Sequence, residues 1–102
     1  MATNKDRQEQ LIQAHEQVNM AAYAKQIIDN PAYQYAMTAI RADKIGKFES
    51  SGYKQSDERE ELWRQMKTIA DFQKALENTM KTGKLAEQNI GKLEKLLKRM
   101  LK

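Results

Sequence analysis

The chain has 102 residues, 31% of them charged and 40% apolar, with one proline, four glycines and no cysteine. That composition fits one small helical domain and excludes a disulfide framework and thiol chemistry. No stretch approaches the ~20 apolar residues needed to cross a bilayer, and the opening MATNKDRQEQ has no apolar core of signal-peptide type, so a soluble, unexported, cytoplasmic protein is expected.

The net charge of +4 is unevenly spread. From residue 81 onward seven cations face only Glu87 and Glu94, a balance of +5 that leaves −1 for residues 1 to 80. Such asymmetry points to an acidic partner for the C-terminal segment.

Breakers and caps divide the chain into four expected helices at about 5–28, 31–48, 57–82 and 84–101, all within one domain spanning 1–102. The first ends at Asp29 and Asn30. Along its second half Val18, Met20, Ala21, Ala22, Tyr23, Ala24, Ile27 and Ile28 cover almost the whole circumference. A helix apolar all round must be enclosed. Four short helices supply little material for that, so Val18, Met20, Tyr23, Ile27 and Ile28 are read as self-association residues. The expected fold is an all-α bundle of three to four helices, completed by oligomerisation.

Asn30 followed by Pro31 marks the second helix, with Asn30 as N-cap and Pro31 at the first helical position, where its missing N–H costs nothing. Its stripe is Tyr33, Met37, Ile40 and Phe48, before a polar loop over 49–55. Ser56 or Asp57 caps the third helix. Asp57 and Glu60 have capping-box spacing, and the acidic first turn suits the positive end of the helix dipole.

At Gly83 the apolar stripe turns. Projected at 100° per residue, Leu62, Met66, Ile69, Leu76 and Met80 lie roughly 130° from Leu93, Leu96, Leu97 and Met100. One straight helix cannot aim both at one core, so the two stripes should belong to separate helices or face different partners, and Gly83 is read as a left-handed C-cap residue between two helices. The last helix is basic and amphipathic. Lys84, Lys92, Lys95, Lys98, Arg99 and Lys102 fall within an arc of roughly 120° along roughly 27 Å and are read as partner-binding residues. They fit nucleic-acid phosphates, an anionic membrane surface without an aromatic anchor, or the solvated side of a packing helix.

Reaction chemistry has little to work with. His15 is the single histidine, so a Cys/His pair is impossible and a histidine metal site would need several subunits. Gly46, Gly52, Gly83 and Gly91 are isolated and form no phosphate loop. Asp57, Glu58, Glu60 and Glu61 read as a charged first turn, served by a Glu60 to Arg64 pair. No catalytic residue, metal or cofactor is expected. Tyr35 and Trp63 lie off or at the edge of their stripes and are candidates for partner contact.

The segment NPAYQYAMTAIRADKIGKFESS, followed by DEREELWRQMKTIADFQKALENTMKTGKLAEQ, resembles short helical proteins encoded among the genes of tailed bacteriophages. The resemblance covers about residues 30 to 88 and carries no functional residue across. It implies an accessory or particle-assembly component, in the host cytoplasm or associated with the virion. The leading expectation is therefore a non-enzymatic, self-associating helical protein that presents a basic C-terminal helix to an acidic partner. The alternatives are a nucleic-acid-binding module using non-specific phosphate contacts, and an oligomer that sequesters small anions or nucleotides.

Overall fold

The computed structural model describes residues 3–52 and 55–100, which form α1 (Asn4–Asp29), α2 (Pro31–Ser50) and α3 (Ser56–Met100), with no strand among the described residues. α1 opens on a reciprocal capping box, in which Asp6 N–H donates to Thr3 Oγ1 at 3.2 Å and Thr3 N–H donates to an Asp6 carboxylate oxygen at 3.0 Å. The backbone hydrogen bond from Thr3, then the side-chain one, holds the Asp6 carboxyl below its ordinary value of 3.8. Asn30 caps α2 as expected. Its backbone is extended, and its side-chain oxygen accepts from Ala32 N at 2.8 Å and Tyr33 N at 3.3 Å. α2 outlasts its expected end at 48, and Ser51 N–H closes it by donating to Phe48 O. Tyr53 and Lys54 of the expected loop, and residue 101 of the expected last helix, lie outside the described residues.

α3 corrects the division at Gly83. It runs unbroken from Ser56 to Met100, and no described glycine has positive φ. Asp57 therefore lies within the first turn and is not the cap. The less exposed positions of α3 recur every three or four residues from Arg59 to Leu97, passing through Met80, Gly83 and Ala86. A strict heptad drifts about 20° per repeat on a straight helix, and the doubled three-residue step from Met80 to Gly83 to Ala86 adds about 60° more. The rotation is thus gradual, and small side chains carry it across the middle of the helix.

The chain divides into two compact units, Met1–Gln26 with Leu76–Lys102, and Ile27–Ala75. In the first, α1 and the later part of α3 run antiparallel: Gly83 lies against Gln17 and Ala21, and an Arg7 guanidinium nitrogen donates to Met100 Sδ at 2.8 Å. The buried residues are Ala14, Ala24, Gly83 and Ala86, bordered by half-buried Leu11, Val18, Ile90 and Leu93. Small residues on both sides favour the lower end of the 8 to 10 Å range of interaxial distances. A methyl group on Gly83 would collide with Ala21 Cβ and come within 3.1 Å of Gln17 O.

In the second unit Leu62 is the buried residue among those described, and Met37, Phe48, Met66 and Ile69 are half-buried. Arg59 holds the end of α2: its guanidinium stands 4.4 Å from the Phe48 ring centroid and donates to Ser51 O at 3.1 Å. Arg41 donates to the Gln73 side-chain oxygen. Trp63 is exposed, with Lys67 Nζ 5.5 Å from its ring centroid.

Candidate interaction surfaces

The cations read from the sequence lie along α3, where Lys84 and Lys92 also border grooves that α3 forms with α1. Lys84, Lys92, Lys95, Lys98 and Arg99 are all exposed, and Lys102 lies outside the described residues. Helical projection sets Lys84, Lys92, Lys95 and Arg99 about 100° or more from the stripe of Gly83, Ile90 and Leu97, with Lys98 nearer to it. None of the five makes an ion pair among the described residues, where the ion pairs are Lys47 with Asp43 and Arg64 with Glu60 and Glu61. Glu94 stands one turn from Lys98 without pairing. These side chains are therefore available to an outside anion, with no internal partner to displace.

Lys84 also lines a groove between α1 and α3. Its floor is Val18, Ala21, Ala22 and Met80, and its rim carries Lys25, Lys81 and Glu77 as well as Lys84 and Glu87. Lys25 was not legible as part of this surface, because only the antiparallel packing of two segments distant in sequence brings it to the same groove as Lys81.

The expected self-association residues separate into two groups. Val18 and Ile28 are half-buried, Val18 bordering the α1 contact with α3. Met20 and Tyr23 are each 59% exposed and Ile27 is 42% exposed. The all-round apolar stretch is therefore enclosed on one side only. Burying residues of this size contributes roughly 1.5 to 3 kcal/mol each, a driving force that these three leave unused. Ile12, Leu85 and Leu96 are further exposed apolar residues.

A second groove lies on the other side of the helix pair, lined by Gln13, Glu16, Gln17, Met20 and Tyr23 of α1 and by Asn78 and Thr82 of α3, and Gln13 and Glu16 also line a groove that carries Asp6 and Glu9. Gln13 and Gln17 are shared with an adjoining groove that adds Gln10, Asn89, Lys92 and Leu93. This amide-rich surface went unrecognised in the sequence, because Asn and Gln register as polar and belong to no apolar stripe.

His15 is exposed, and no group of three or more His, Cys, Asp or Glu side chains among the described residues is placed to hold a metal ion. No described helix is long and apolar enough to cross a membrane. The chain matches no family model, no curated protein and no solved structure.

Proposed function

We propose that this chain is a non-enzymatic helical interaction protein that self-associates and presents the cationic side of α3 to an acidic partner. The role is the accessory or particle-assembly one that its resemblance to phage-encoded helical proteins implies. The observation that carries the reading is the row of five exposed cations on α3, without ion pairs among the described residues. The exposed Met20, Tyr23 and Ile27 support self-association.

A second reading, non-specific nucleic-acid binding, is favoured by spacing: the five cations extend over roughly 22 Å, enough to follow several phosphates. Reversing Lys95 and Lys98 to Glu separates the possibilities. Both residues are exposed, so helicity by circular dichroism should be retained. Binding to poly-glutamate, as a model acidic polypeptide, or to duplex DNA should fall steeply. If DNA is the partner, the log of the parent's affinity should fall linearly with log salt, at about −0.9 per phosphate neutralised. Binding to neither probe at low salt would overturn the acidic-partner half of the reading. A clean monomer in size-exclusion light scattering would overturn the self-association half.

A further inference from the structure

In the unit of Met1–Gln26 and Leu76–Lys102, two seams of coiled-coil spacing stay open after its helices have packed. On α1, Asp6, Gln13 and Met20 follow one another by seven residues, as do Glu9, Glu16 and Tyr23, and the two sets interleave in steps of three and four. All six are exposed, about 100° or more in helical projection from the less exposed stripe of Leu11, Ala14, Val18 and Ala21. Four of them line a groove to which α3 contributes no residue. On α3, Leu85, Lys92 and Arg99 form one such set and Lys81, Gln88 and Lys95 the other. These are exposed too, about 140° or more from Gly83, Ile90 and Leu97. The α1 seam carries three carboxylates and no cation: Arg7 is half-buried and donates to Met100, and Lys5 and Lys25 stand beyond its ends. The α3 seam carries four cations and no carboxylate. Glu87 and Glu94 project within about 60° of the packed stripe, Glu77 precedes the seam, and Lys84 and Lys98 flank it.

We propose that the acidic seam of α1 in one copy packs on the cationic seam of α3 in the next, so that the acidic partner of the cationic row is a second copy of the chain. The inference rests on the self-association and acidic-partner readings and joins them. Both seams cover about 26 Å of helix, and their direction decides the fit. Laid antiparallel in one register, they set Asp6 against Arg99, Glu9 against Lys95 and Gln13 against Lys92. The same register sets Glu16 against Gln88, Met20 against Leu85 and Tyr23 against Lys81. Charges of opposite sign meet, an apolar pair closes, a cation reaches an aromatic ring, and no like charges face each other. A parallel arrangement would instead set Glu9 against Leu85 and Met20 against Lys95. Because the two seams differ, the contact is heterologous and adds copies in a ring or an open row. About 26 Å by the 10 Å width of a helix is about 260 Å² per copy, against about 800 Å² per partner in a standard interface. A single contact is therefore weak, and association depends on concentration and salt.

Charge reversal of either seam tests the assignment, read by sedimentation velocity of the full chain at low salt. Glu9→Lys with Glu16→Lys, and separately Lys95→Glu with Arg99→Glu, should each raise the dissociation constant at least ~10-fold with circular dichroism unchanged. An equimolar mixture of the two variants should associate again, because each keeps the seam that the other has lost. A mixture no more associated than its components overturns the proposal. Unchanged association of either variant also overturns it and leaves self-association standing. A parent that is monomeric at all concentrations overturns both. The Glu9 and Glu16 variant keeps its cationic row, so its binding to poly-glutamate reads the acidic-partner half separately. A second measurement needs no variant. Carbodiimide coupling of the parent should join Glu9 to Lys95 within covalent dimers, identified by mass spectrometry, and dimers linked only at other pairs overturn the proposal.

Discussion

At Gly83 two physical effects of opposite sign meet, and their sizes decide the outcome of a single substitution. In an exposed helix interior Gly→Ala stabilises by about 1 kcal/mol. Here the added methyl would enter the space of Ala21 Cβ and crowd Gln17 O, and overpacking of that kind costs about 1 to 3 kcal/mol. Gly83→Ala should therefore lower stability in urea unfolding, and a gain would show that α1 and α3 give way easily at this point. Asp6 makes a separate statement about pH. Its carboxyl is held below 3.8 by the hydrogen bonds with Thr3, so its contribution to the first turn of α1 is fully present above that value and is lost as pH falls through the lowered one. Protection of the Thr3 and Asp6 amides, measured against the intrinsic exchange rate at each pH, should fall on acidification below about pH 4, and Asp6→Asn should remove that pH dependence.

The helices show which features a sequence makes legible. Asn30 and Pro31 fix the start of α2 through local chemistry, and removing that cap with Asn30→Ala should cost about 1 kcal/mol, read as a shift in the denaturation midpoint. The continuity of α3 was not legible, for two reasons. The rotation between stripes centred more than three heptads apart was weighed against the drift of about 20° in a single heptad, although that drift accumulates, and the sum was taken for a break. The positions joining them, Gly83 and Ala86, carry almost no apolar surface and so dropped out of a pattern built on large residues, although both are buried. The cationic row was legible because charge is counted residue by residue. The amide surface was not, because it exists only once two distant segments run antiparallel.

For the whole molecule, the buried apolar residues among those described are Ala14, Ala24, Leu62 and Ala86, three of them alanine, so little hydrophobic free energy offsets the entropy of ordering the chain. Stability should then depend on association. The melting temperature should rise with protein concentration, by mass action, and a value constant over a hundredfold range would mean that the monomer stands alone. Trp63 has a consequence for how such transitions are observed. It is the sole tryptophan and is solvent-exposed within the Ile27–Ala75 unit, whereas the exposed Met20 and Tyr23 belong to the other unit. Its emission should therefore stay constant when the assembly is diluted apart and change only when its own unit melts. Tyrosine anisotropy, to which Tyr23 contributes, should respond to the dilution. The chain carries two intrinsic optical reporters, one for folding and one for company.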